Sequence, residues 1–176
     1  MAKHTSLRAR FLGFAGGHFM LSALAVVVAF AALSGREHWI AAVTAVLMLL
    51  YLPAGILAAR LLEWERPTLR EWLRAVALVG GIACLWGFGG FALCFAVPLV
   101  GFCLLMSTAF LATPSFCLMF SVAMSSIDLP GLSWMPTWYV ATALAALLPP
   151  VLFFAGALLT ARHPSQAGPD EGRGTP

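Results

Sequence analysis

The stretch AVALVGGIACLWGFGGFALCFAVPLVGFCLLMSTAFLATPSFCLMFSVAMSSI, from Ala75 to Ile127, runs 53 residues without an Asp, Glu, Lys or Arg. A helix needs about 20 apolar residues, at roughly 1.5 Å each, to cross a hydrocarbon core about 30 Å thick. The run therefore holds two such elements and is too short for three. Further charge-free runs flank it, at 11–35, 38–59 and 129–161, of 25, 22 and 33 residues. Each of these fits one span once its polar ends are trimmed. The expected segments are 11–33, 39–60, 72–96, 98–124 and 138–161. Inside lipid every backbone N–H and C=O must be bonded within its own helix or in a closed barrel. No stretch alternates apolar and polar residues as barrel strands do, so the expected fold is an all-α integral membrane bundle.

Composition agrees. Hydrophobic residues make up 61% of the 176, charged residues only 10%, and the mean hydropathy is +0.94. A soluble domain carries about 25% charged residues, so these charges are too few to coat a water-soluble globule. Residues 1–162 are expected to form one polytopic domain with no soluble domain attached. The Gly- and Pro-rich end, HPSQAGPDEGRGTP (163–176), is expected to be a disordered tail.

Orientation follows from the placement of Lys and Arg in short flanks. Lys3, Arg8 and Arg10 precede the first segment, and Arg60, Arg66, Arg70 and Arg74 lie between the second and third. Both regions are expected in the cytoplasm, with Arg36 in the outer turn. The apolar run after Arg10, about 23 residues, exceeds the 7–15 of a secretory signal core and is read as a retained first helix. A bacterial inner membrane is the expected location.

The number of crossings turns on Pro114. It divides 98–124 into 99–113 and 115–124, pieces of 15 and 10 residues that are each too short to span. Either this is one Pro-kinked span, giving five crossings, or it is a re-entrant hairpin, giving four. Four crossings leave nine of the ten basic residues inside, and the charge count favours them.

Several local signals have a direct physical reading. Thr68-Leu69-Arg70-Glu71 has the form of a capping box just after Pro67, which starts a helix. Trp64, Trp72, Trp134, Trp138 and Tyr139 read as interfacial anchors, and Pro130-Gly131 as a turn. Gly13-x-x-x-Gly17, Gly55-x-x-x-Ala59 and Ala141-x-x-x-Ala145 are small faces at which helices approach closely. They imply a compact bundle, self-association or a seat for another membrane protein.

Candidate chemistry is sparse. Cys84, Cys94, Cys103 and Cys117 are spaced by 10, 9 and 14 residues; without a C-x-x-C they suggest neither a redox pair nor a zinc site and read as packing residues. His18 is an ionisable side chain well inside a span, which makes it a candidate site. Its bland alternative is a neutral imidazole bonded to Ser22, one turn on, or to a neighbouring helix. Gly87-Phe88-Gly89-Gly90-Phe91-Ala92 imitates part of a dinucleotide fingerprint, but no strand precedes it. Pro53, Gly87, Gly89, Gly90, Pro114, Pro149 and Pro150 are candidate helix breaks, of the kind that line transporter sites.

Absences narrow the function. No Asp, Glu, Lys or Arg falls at mid-membrane depth, where a proton-coupled pump, voltage sensor or charged-ion pore would need one. Paired aspartates and an H-E-x-x-H are missing, and the net charge of +3 belongs to the flanks, so nucleic-acid binding has no support. The expectation is a non-catalytic accessory or assembly subunit, packed in the bilayer against other membrane proteins or itself, with no cofactor and no metal. The alternatives are a small oligomeric transporter or channel for a neutral or weakly polar solute, and an intramembrane site built on His18.

Overall fold

The computed structural model describes residues 6–32, 39–65, 67–125 and 134–160. The expected C-terminal tail and the loop around Asp128 lie outside these residues. Every regular element described is an α-helix: α1 (Leu7–Ala32), α2 (Trp39–Leu49), α3 (Tyr51–Leu61), α4 (Leu69–Ala96), α5 (Pro98–Leu111), α6 (Thr113–Ser125) and α7 (Trp134–Thr160). Among the described residues four helical stretches are long and apolar enough to cross a membrane, Leu7–Val28, Ala42–Leu61, Leu69–Ala96 and Thr137–Thr160, and the bent pair α5–α6 makes a fifth if it is one span.

The helix ends follow from the sequence chemistry. Thr68 accepts from the Glu71 backbone N–H while the Glu71 carboxylate accepts from the Thr68 N–H at 2.9 Å, so the capping box satisfies two otherwise orphaned donors. Between α2 and α3 only Leu50 intervenes, with helical angles (φ −65°, ψ −16°), just before Pro53, which has no N–H to offer the Leu49 carbonyl; Ala42–Leu61 is one stretch of membrane length. The α4–α5 turn has a single linking residue, Val97, held extended (φ −137°, ψ 81°) ahead of Pro98 at the first position of α5. Gly101 then lies on the backbone of Leu93 and Cys94, where a Cβ would collide.

α5 and α6 meet at Ala112 with a bend of 115°. Pro114 leaves the Phe110 carbonyl without its helical donor, and the Thr113 hydroxyl answers by donating to the Ala109 carbonyl at 2.7 Å and, more weakly, to that of Phe110 at 3.4 Å. The pair is sharply bent, a geometry open to a broken span or a re-entrant loop. Gly80 faces Leu147, Gly87 faces Thr142 and Phe91 stacks on Trp138 at 6.5 Å, so α7 runs antiparallel to α4. At the other end Phe14 of α1 stacks on Phe154 of α7 at 5.9 Å, and Arg10 meets Glu71 at 3.7 Å. The start of α1, the start of α4 and the end of α7 therefore share one end of the bundle. α5 leaves from the opposite end, and α6 packs on the first half of α7 through Met119 with Ala141 and Ala145.

The main core lies at the shared end, where Phe14, Tyr51, Trp64, Val76, Phe153 and Phe154 are all buried. Trp64 is 3% exposed, with its ring against Phe153 and Phe154 and its edge over Gly13. It is a core residue and not the interfacial anchor that its position in the sequence suggested. The small faces are used inside the chain: Gly13 takes Trp64, Gly17 takes the Phe153 ring, and Gly55 takes the α7 backbone. Ala141 and Ala145 pack on Met119 of α6 in a second cluster.

The candidate helix breaks divide. Gly87, Gly89 and Gly90 sit inside an unbroken α4, because a glycine weakens a helix only modestly and removes no backbone bond. Pro149 and Pro150 are likewise carried within α7, both fully buried. Among the described residues the sharp bend is at Ala112, two residues before Pro114, while Leu50, three before Pro53, keeps helical angles.

Candidate functional site

His18 of α1 and Tyr51 of α3 meet at mid-helix, with the Tyr51 hydroxyl 2.6 Å from His18 Nδ1. Phe14, one turn before His18, stacks against both rings, at 5.4 Å from His18 and 6.3 Å from Tyr51. Tyr51 is fully buried, and Nδ1 is the one partner of its hydroxyl among the described residues. A buried hydroxyl proton without an acceptor costs about 1–3 kcal/mol, which favours the tautomer in which Tyr51 donates and Nδ1 accepts. In a neutral imidazole the proton then sits on Nε2, as a donor.

Ser22 does not join this pair. Its Oγ is buried without a hydrogen-bond partner among the described residues, and the structure places Tyr51 where the sequence had offered Ser22. Tyr51 was missed, although a Tyr in the middle of an apolar segment is itself a signal: its hydroxyl must find a partner when buried.

Beside the pair lies a partly open cavity of about 360 Å³. His18 and Ala15 of α1, Ala83 and Gly87 of α4, Ser115 and Met119 of α6, and Ala145 and Pro149 of α7 are among its walls, with the α5–α6 bend as a further side. Among the described residues no Asp, Glu, Lys or Arg lines it. Three of the proposed helix breaks, Gly87, Pro149 and Pro150, thus converge on the cavity with His18, and Ala112 and Ser115 flank it next to Pro114. Pro53 is exposed and stands apart from it, as do Gly89 and Gly90. Pro149 and Pro150 supply no N–H to the carbonyls of Ala145 and Ala146, and both of these residues line the cavity. Phe19, Ile82 and Trp86 line it too while remaining 64%, 48% and 42% exposed, so the mouth is rimmed by large apolar side chains.

A second polar group sits at the shared end of α1 and α4. Arg10 is 4% exposed and paired with Glu71, while its Nε and the indole N–H groups of Trp64 and Trp72 lack hydrogen-bond partners among the described residues. The four cysteines are unpaired thiols, Cys103 exposed and the others half-buried. Among the described residues no group of three or more His, Cys, Asp or Glu is placed to hold a metal.

Fold and cavity together define a class: a small helical chain whose described residues include four helices of membrane length, a sharply bent helix pair and a cavity lined by uncharged side chains. Comparison with known protein families, with curated proteins and with solved structures finds no match.

Proposed function

We propose that this chain is an integral membrane protein that binds a neutral, largely apolar molecule drawn from the bilayer and holds or carries it without chemical change. The carrying observation is the mouth of the cavity. Phe19, Ile82 and Trp86 line the opening and remain exposed, a rim that suits hydrocarbon and not water. Uncharged walls favour a neutral occupant, since an ionised group moved there would lose its hydration without a partner. This is the carrier form of the transport reading, narrowed to solutes that dissolve in lipid.

The proposed topology has four crossings, with α5–α6 as a re-entrant hairpin entered from the outer side. Both termini then face the cytoplasm of a bacterial inner membrane. The basic flanks around Arg10 and Arg70 support this under the positive-inside rule. An accessory-subunit role draws less support, because Gly13, Gly17, Gly55 and Ala145, the small faces suited to a partner, are occupied within the chain.

The test is purification in mild detergent at native expression, followed by mass spectrometry of both lipids and proteins. A neutral lipid recovered near one per chain, and lost from the cavity-filling variant Ala83→Phe, supports the binding reading. A stoichiometric larger protein, with lipid content unchanged by Ala83→Phe, would overturn it in favour of the accessory subunit.

A further inference from the structure

We infer that the cavity recognises an uncharged lipid through one hydrogen-bond-accepting oxygen, a carbonyl or hydroxyl, which receives the Nε2 proton of His18. The inference rests on the binding reading above and adds the ligand's chemical class and the group that selects it.

Three observations carry it. The first is the Tyr51–His18 contact at 2.6 Å. A buried Tyr51 hydroxyl with no other acceptor among the described residues is satisfied by donating to Nδ1, which assigns the imidazole proton to Nε2, and Phe14 stacks on the ring. Nε2 makes no hydrogen bond to a described residue, and His18 lines the cavity. The free donor thus belongs to a side chain that borders an apolar space.

The second observation is depth. His18 and Tyr51 lie near the middle of helices that run from Leu7 to Ala32 and, through Leu50, from Trp39 to Leu61. A phospholipid keeps its charged headgroup at the membrane surface, about 15 Å from the midplane, and its ester oxygens stay close to that headgroup. A lipid able to bring an oxygen to mid-depth is one without a charged head. The third is size: about 360 Å³ is near the lower end of the roughly 300–1,000 Å³ typical of ligand pockets. It holds the oxygen-bearing end of such a molecule, and the remaining chain leaves between Phe19 and Trp86 into the surrounding lipid.

Two sources share this chemistry: the ring carbonyl of an isoprenoid-type quinone and the ester or hydroxyl oxygen of a diacylglycerol. Trp86 at the mouth supplies the readout. Purified full-length protein in neutral detergent is titrated with decyl-benzoquinone, with diacylglycerol carrying dibrominated chains, and with 1-bromohexadecane as the oxygen-free control. Fluorescence quenching lost in Trp86→Phe is scored as cavity binding. Wild-type protein is expected to bind one oxygen-bearing probe about 5- to 10-fold more tightly than His18→Phe does, the range of one hydrogen bond. The control should bind both equally. His18→Gln, whose amide N–H reaches close to the Nε2 position, should restore most of the difference, which a purely structural role of His18 would not do. The tighter-binding probe identifies the source.

If both oxygen-bearing probes bind and Ala83→Phe excludes them, but His18→Phe leaves their affinities unchanged, this inference is wrong and the binding reading survives. If no probe quenches Trp86 above the Trp86→Phe background, both are wrong.

Discussion

The backbone of Phe153 in α7 occupies the space that a side chain on Gly55 in α3 would need. The relation is reciprocal, since the Leu52 backbone stands against Gly156 in the same way. Lipid is as apolar as the helix surfaces, so close packing rather than water exclusion joins helices in a membrane. The two glycines let α3 and α7 cross with backbones in contact, and this crossing fixes Tyr51 beside α1.

Gly55→Ala and Gly156→Ala should therefore each destabilise the protein by about 1–3 kcal/mol, the usual cost of overpacking. Gly16, Gly81 and Gly89 have open space at the Cβ position, and alanine there should leave stability unchanged or raise it by up to about 1 kcal/mol. Thermal unfolding in detergent of the five variants checks the contrast. Equal behaviour of both sets would refute the proposed crossing.

Tyr51→Phe removes the hydroxyl and leaves His18 Nδ1 without its partner. A loss of about 1 kcal/mol is expected, since the ring packing is kept and one hydrogen bond goes. The double variant Tyr51→Phe with His18→Phe should cost less than the sum of the single changes, because neither polar group is then stranded. A double-mutant cycle measures this coupling.

Glu71→Gln keeps a side chain able to close the capping box but withdraws the charge facing Arg10, whose side chain is only 5% exposed. A buried cation left without its counter-charge is costly, and a loss of about 1–3 kcal/mol is expected. Arg10→Met with Glu71→Gln should recover much of it. An unfolding midpoint for the double variant below that of Glu71→Gln alone would contradict this account.

Reporter fusions test the topology. Fluorescent-protein fusions at the N-terminus and at the C-terminus should both be active in the cytoplasm, as four crossings require. A fusion after residue 162 that reports the outer side would establish five crossings and exclude the re-entrant arrangement of α5 and α6.

The amino-acid sequence alone determined the helices and many of their ends. Charge spacing is enough for that, because each span must satisfy its own backbone bonds, and that demand is local to the segment. Thr68 and Glu71 marked the start of α4 for the same reason. The 53-residue run placed Pro114 but not the size of the turn it makes. The 115° bend at Ala112 and the antiparallel pairing of α7 with α4, through Gly87 with Thr142 and Phe91 with Trp138, came only from the tertiary structure. Trp64 carried an ambiguity of its own: an indole near a span end suits the interface or the core, and only Gly13 with Phe153 and Phe154 decided it. The site was half legible. His18 stood out as an ionisable group inside a span, but its partner lies 33 residues away, on a helix that reaches it only because Gly55 and Gly156 allow α3 and α7 to cross closely. Hydrogen-bond partners within a turn can be read from spacing; partners across helices are set by packing, and for those the tertiary structure was required.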